Sequence, residues 1–266
     1  MKRIQLFEFE DFGWLPDSLR SSMTRLLLIF HRMAGTEKVV TDLTAYVLTK
    51  VKADHITDLG SGAGGVMPAV VKALNADREM PVRLLLTDLH PNQRSVRLIE
   101  AQKLSWMNYH PEPVDATRME TVPGGLKTMI ASFHHLPPGM AKQVLQSASE
   151  QKQPLLIYEV AENKIPLIAW WLFLPISLAL LIIMSLFMTP FCRPLTWQQL
   201  VFTYLIPVIP VMYAWDGQAS LVRTYTLDDI RELIGEPSQD YVWEIAPAMN
   251  AKGRRTGYYI FGCPVV

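Results

Sequence analysis

From Ile165 to Cys192 the chain reads IPLIAWWLFLPISLALLIIMSLFMTPFC, a run without a single charged side chain. As a helix it would extend about 42 Å, more than the roughly 30 Å of a bilayer's hydrocarbon core. After Arg193 comes a second uncharged run, ending at Trp215. Its most apolar part, from Leu200, would cover only about 24 Å as an unbroken helix, and Pro207 and Pro210 interrupt it. Together the two runs predict a hairpin that dips into or through a membrane. Arg193, Thr196, Gln198 and Gln199 fall near its tip, and Trp170, Trp171, Tyr213 and Trp215 lie near its base as interface anchors. The competing reading is a buried helical lid inside a soluble domain.

What flanks this insertion is ordinary α/β sequence. Short β-type runs (His55–Leu59, Val82–Asp88, Lys127–Ser132, Pro154–Val160) alternate with helical patterns, which implies parallel βαβ units. Downstream, TLDDIRELIG reads as a helix with Thr226 as its N-cap and Gly235 as its stop, followed by β-rich runs at Tyr241–Ile245 and Gly257–Gly262 that suit an antiparallel sheet end. If both flanks build one domain, the chain leaves and re-enters on the same membrane face, so it makes zero or two crossings and never one. The expected organisation is an N-terminal helical cap over 1–50, a soluble domain over 51–164 and 216–266, and the membrane hairpin over 165–215.

Composition narrows the partners. The 25 basic and 25 acidic side chains cancel and form no basic block, which excludes a protein that tracks a nucleic-acid backbone. The charged fraction of 19% lies below the roughly 25% usual for soluble domains because of the insertion. Two cysteines, Cys192 and Cys263, supply neither a disulfide framework nor a metal cluster and suit a reducing cytoplasm. The first twelve residues carry Glu8, Glu10 and Asp11 without an apolar core, so no secretory signal is expected there.

The strongest local motif is ITDLGSGAGGV, Ile56 to Val66, between the first strand and the first helix. Its glycines allow a tight turn and bring a ligand close to backbone amides at a helix N-terminus. Gly60, Gly62 and Gly65 satisfy the dinucleotide pattern G-x-G-x-x-G, whereas Gly60, Gly62 and Gly64 satisfy G-x-G-x-G. Asp58 favours the second reading, because a carboxylate aimed at the crevice repels a pyrophosphate but not a cationic ligand. Asp88 ends the second strand in LLLTDL, where an acid accepts hydrogen bonds from ribose hydroxyls.

ITDLGSGAG, LLLTDLHP, VDAT, MIASFHHLPP and LLIYEV, in that order over roughly Asp54 to Val160, resemble the motifs of class I S-adenosylmethionine-dependent methyltransferases. With SFHHLPP, the amino-terminal FEDFGWLPDSLR and the sequence around the hairpin, the chain resembles a bacterial subgroup with an apolar insertion after strand five. The resemblance implies a Rossmann-like α/β fold with a seven-stranded sheet of order 3-2-1-4-5-7-6 and strand seven antiparallel, and S-adenosylmethionine as cofactor. It implies cofactor contacts by Asp58, Gly60, Ser61, Gly62, Gly64, Asp88, Leu89 and Ser132, with Asp115 and Ala116 at the adenine. The alternatives are an NAD(P)-linked Rossmann oxidoreductase and a non-catalytic scaffold with a methyltransferase fold.

Candidate chemistry gathers after the fourth strand. A histidine beside an acceptor oxygen or nitrogen can remove its proton at neutral pH, which makes His134 or His135 the candidate general base; either could instead bond the backbone. Glu159 and Asp216 are the next candidate catalytic carboxylates. A salt bridge of Glu159 to Lys164 or Arg223, and a turn at Asp216-Gly217, are the competing readings. Trp14, Arg20, Arg223 and Tyr225 are candidates for binding the acceptor, although Arg223 could instead pin the base of the hairpin. No metal-ligand spacing and no G-x-S-x-G elbow occurs. The expected activity is methyl transfer to a small-molecule or lipid-like, membrane-resident acceptor, with the catalytic domain on the cytoplasmic side.

Overall fold

The computed structural model describes residues 1–236 and 238–265. By internal contacts the chain divides into two units, one of Gly35–Ala161 with the chain from Leu227 onward, the other of Met1–Ala34 with Glu162–Thr226. Residues 35–50, expected in an amino-terminal cap, therefore belong with the sheet, and 216–226 belong with the insertion.

In the first unit the apolar runs form strands β1 (His55–Leu59), β2 (Arg83–Thr87), β3 (Met107–Tyr109), β4 (Leu126–Ile130) and β5 (Leu155–Glu159), all parallel. Strands β6 (Tyr241–Met249) and β7 (Arg255–Pro264) close the sheet, with β7 antiparallel to both β5 and β6. The order is β3-β2-β1-β4-β5-β7-β6. This departs from the dinucleotide-binding order 3-2-1-4-5-6, so the overlapping G-x-G-x-x-G pattern does not make this a dinucleotide fold. Every residue of β5 is buried, as befits a central strand covered on both faces.

Helices α2 (Thr36–Lys50), α3 (Met67–Leu74), α4 (Gln93–Glu100), α5 (Pro138–Glu150) and α9 (Leu227–Ile234) belong to this unit. Val40 and Val47 of α2 and Val70 and Val71 of α3 share one apolar core with Ile56, Leu84, Leu86 and Leu156 of the strands. Asn92 caps α4 by accepting the Ser95 N–H at 2.9 Å. Gly235, at φ 73°, ends α9 in the left-handed conformation. Gly257 permits the closest strand approach: at its φ of 145°, a Cβ would stand 2.0 Å from the Glu159 carbonyl oxygen.

The second unit is helical, with α1 (Asp17–Ala34), α6 (Leu167–Met188), α7 (Trp197–Leu200) and α8 (Val208–Arg223). A π-turn, Val201–Leu205, prolongs α7, and the combined segment meets α8 at 81°. Pro207 lies at that break, where its missing amide cannot continue the ladder. One apolar cluster joins Leu15, Met23 and Leu26 to Met188, Cys192, Ile209 and Met212. Another joins Ile4 and Leu6 to Trp170, Leu174 and Val222. The turn at Asp216-Gly217 that competed with a catalytic role for Asp216 is absent, because α8 runs unbroken through both residues. Gly217 serves packing instead: a Cβ there would come within 3.4 Å of Leu181 on α6.

Candidate active site

The glycine loop leaves the carboxyl end of β1, where parallel α/β sheets bind ligands. Gly60, Gly62, Gly64 and Gly65 hold φ values of 72°, 55°, 108° and 55°. This succession of left-handed residues strains any side chain but glycine. The loop is tied to β2: the Ser61 N–H donates to the Thr87 carbonyl at 2.9 Å, and the Thr87 hydroxyl donates to the Asp58 carbonyl at 2.8 Å. From the end of β3 the Tyr109 hydroxyl donates to the Gly62 carbonyl at 2.6 Å. A Cβ on Gly62 would meet nothing within 4 Å, so that side of the loop is open. Gly64 instead faces inward, toward Ile99, Leu86 and Pro68.

Beneath the loop the Asp58 carboxylate is buried. It accepts from Ser61 Oγ at 2.7 Å and from Thr128 Oγ1 of β4 at 2.6 Å. Burial pushes this carboxyl up to about 7; the two hydroxyls oppose that rise and nearby Asp88 adds to it. Asp88 sits at the loop's rim, where it accepts the Gly62 N–H at 2.7 Å and the His90 N–H at 2.8 Å, one on each oxygen. A carboxylate has about four acceptor positions, so both oxygens retain capacity for a vicinal diol. The Val114 N–H donates to the Asp88 carbonyl at 2.8 Å, which brings the next segment alongside. There Asp115 Oδ1 accepts from the Thr117 amide and hydroxyl at 2.9 and 2.7 Å, fixing a turn. Ala116 is half-buried and Leu89 exposed.

The loop after β4 abuts the glycine loop. Ala131 takes a φ of 52°, and the Ser132 hydroxyl lies 3.3 Å from the place of a Cβ on Gly60. The chain then makes a short 3-10 turn, Phe133–His135. At the end of β5, Glu159 receives both the backbone N–H of His134 (3.0 Å) and its ring Nδ1 (2.8 Å). The carboxylate pairs with this histidine, not with Lys164 or Arg223. A carboxylate accepts only, so Nδ1 carries the proton, and in the neutral ring Nε2 is the basic nitrogen. The His134 and His135 rings lie 4.4 Å apart at 34°.

The remaining candidates belong to the helical unit. Asp216 accepts the Phe9 N–H at 2.7 Å and the Glu10 N–H at 3.2 Å. Buried Arg223 pairs with Glu8 at 3.1 Å and Asp11 at 2.5 Å. Arg20 donates to the Glu10 and Phe12 carbonyls. Tyr225 is buried under the Arg3 guanidinium, which lies 4.9 Å from its ring centroid. Trp14 is exposed and stacks on Phe12 at 5.4 Å. Except for Trp14, these side chains anchor the amino-terminal segment. Sequence reasoning missed Thr128 and Tyr109; the signal for Thr128 is the β1–β4 register, which places it opposite Asp58.

The sheet order, the loop after β1 and the acid after β2 define the fold of the class I methyltransferases. Among solved structures with this fold is the plantazolicin methyltransferase BpumL in complex with SAH, 11% identical, covering 94% of this chain and 98% of that one at a TM-score of 0.53. Another is the plantazolicin methyltransferase BamL in complex with a triazolic desmethylPZN analog and SAH, 9% identical, covering 93% and 97% at a TM-score of 0.51. No protein-family model matches the chain, and no curated protein matches it in sequence.

Proposed function

We propose that the chain is an S-adenosylmethionine-dependent methyltransferase acting on an apolar or amphipathic acceptor held in or at a membrane. The observation that carries the reading is the open, left-handed glycine loop facing Asp88 at the carboxyl edge of a class I methyltransferase sheet. The SAH bound to BpumL and BamL supports the choice of cofactor. The residues present fit it: the left-handed loop is open at Gly62, Asp88 would accept from the ribose hydroxyls, and Asp115 and Ala116 would border the adenine. Leu89, Ser132, Ser61 and Gly64 complete or support that cradle, and Asp58 supplies negative potential beneath it. When bound, the cofactor supplies an electrophilic methyl group, whose bond to sulfur breaks with the electron pair left on sulfur.

The protein's part is positioning and proton removal. Holding two reactants in line contributes on the order of 7 to 11 kcal/mol. His134 takes the proton of an acceptor oxygen or nitrogen on Nε2, while Glu159 fixes the ring's orientation and tautomer. His135 is the second candidate for that proton, and Trp14 is the candidate contact for an apolar acceptor. The insertion supports that class of acceptor: Leu167–Phe191 is long and apolar enough to cross a membrane, and most of it is exposed. We assign the helical unit to the membrane and the sheet unit to the cytoplasmic side.

Calorimetric titration of the purified chain with S-adenosylmethionine and SAH tests the cofactor, with Gly60→Arg as the blocked control. Transfer of labelled methyl into a lipid extract by wild type, absent in Gly60→Arg, tests the acceptor. A folded wild type that binds neither ligand overturns the enzyme reading. Binding without transfer into any extract leaves the scaffold alternative standing in its place.

A further inference from the structure

We infer that the helical unit docks on one leaflet of a bilayer with α6 lying in the membrane plane, and that neither limb of the hairpin crosses. The inference rests on the membrane assignment above and concerns its mode. Strand β5 precedes the insertion, β6 and β7 follow it, and all three lie side by side in one sheet. A chain that leaves and returns to one sheet crosses a bilayer an even number of times. Two crossings therefore need a second limb able to span, and the second limb is too short.

Along α8 the uncharged stretch from Val208 to Trp215 rises about 12 Å before Asp216, against a core of about 30 Å. The α7 and π-turn segment adds little to that reach, because it lies at 81° to α8. The tip is also tied to a polar helix. Arg25 of α1 donates to Gln199 Oε1 at 2.8 Å, and Gln199 Nε2 donates to the Ser22 carbonyl at 3.3 Å. With the second limb barred, parity bars the first.

What remains is lateral burial in lipid. Ile168, Leu172, Ile176, Leu180, Ile183 and Phe187 recur at three- and four-residue spacing and are all at least half exposed, so one face of α6 is apolar along its full length. Between Lys164 and Asp216 the only charge is Arg193. Arg193 is exposed, and so is Trp197 four residues on, at 67%. A cation and an indole together suit the headgroup level and favour an anionic lipid surface over a second copy of the chain.

The test uses the full chain in a Cys263→Ser background, with single probes at Ile168→Cys, Leu180→Cys or Phe187→Cys carrying a fluorophore. Each is mixed with preformed phosphatidylcholine–phosphatidylglycerol vesicles, floated, and quenched by lipids bearing nitroxides at graded depths. The expected result is flotation with the three probes at one depth, equal within a few ångströms. Flotation with depth changing steadily from Ile168 to Phe187 overturns the in-plane mode and leaves the membrane assignment intact. Failure to float, with or without self-association on gel filtration, overturns the membrane assignment itself. Binding of S-adenosylmethionine, measured on the same samples, reports whether the variants remain folded.

Discussion

Asp58 offers the most direct electrostatic test of the proposed site. Its carboxyl is buried under the glycine loop and pushed up to about 7 by desolvation. Bringing a cationic ligand over that loop favours the charged form, so binding is linked to loss of the proton. With a pKa near 7, about one tenth of the free protein is ionised at pH 6 and about nine tenths at pH 8. If the ligand needs the ionised form, its association constant rises about tenfold over that interval, equivalent to about 1.4 kcal/mol. Calorimetric titration with S-adenosylmethionine measures this directly, and repeating it at pH 7 in buffers of different ionisation enthalpy should register release of about half a proton. Asp58→Asn should flatten the pH dependence. Stability of the ligand-free protein runs the other way. The folded pKa lies above the ordinary value, so the stability linked to this proton is full below about pH 4 and is lost as pH rises through 7. An affinity that does not change between pH 6 and 8, in a wild type folded throughout, refutes the electrostatic role of Asp58.

Three further outcomes follow from the same geometry. Glu159→Gln should lower kcat by roughly 10- to 100-fold with KM nearly unchanged and alter the pH profile of kcat, with Glu159→Asp recovering part of the rate; a uniform loss of folded protein would instead mark Glu159 as structural. Gly257→Ala forces a Cβ into the space 2.0 Å from the Glu159 carbonyl and should cost about 2–3 kcal/mol, read as a lowered Tm in thermal denaturation. Arg223→Met removes the buried cation that pairs with Glu8 and Asp11 and should cost about 3–5 kcal/mol, with limited proteolysis cutting first within residues 1–16.

The sheet was legible where a strand carried its own pattern. Leu84–Thr87 and Leu155–Glu159 are apolar runs bounded by helices, and their order follows once the chain is seen to resemble a class I methyltransferase. Strand β3, three residues long, has too few positions for any periodicity and left no local mark. The turn weighed as the alternative reading at Asp216-Gly217 failed for a related reason. Glycine after aspartate signals a turn in isolation, but here it answers to the side of α6 that packs on it. Local chemistry and tertiary packing asked for the same residue for different reasons, and packing decided.

The site was legible residue by residue but not pair by pair. Asp58, the glycines, Asp88, His134 and Glu159 each stand out by type and position, since each ends or follows a strand. Their partnerships depend on which strands lie side by side. Thr128 meets Asp58 because β1 and β4 are neighbours in a particular register, and His134 meets Glu159 because the turn after β4 folds over the end of β5. The last of these matters most for mechanism. A neutral histidine can carry its proton on either ring nitrogen, whereas one whose Nδ1 and backbone amide are both given to a single buried carboxylate has its tautomer set. The sequence supplies a candidate base, and the adjacency of β4 and β5 names Nε2 as the nitrogen that would act in the proposed proton transfer.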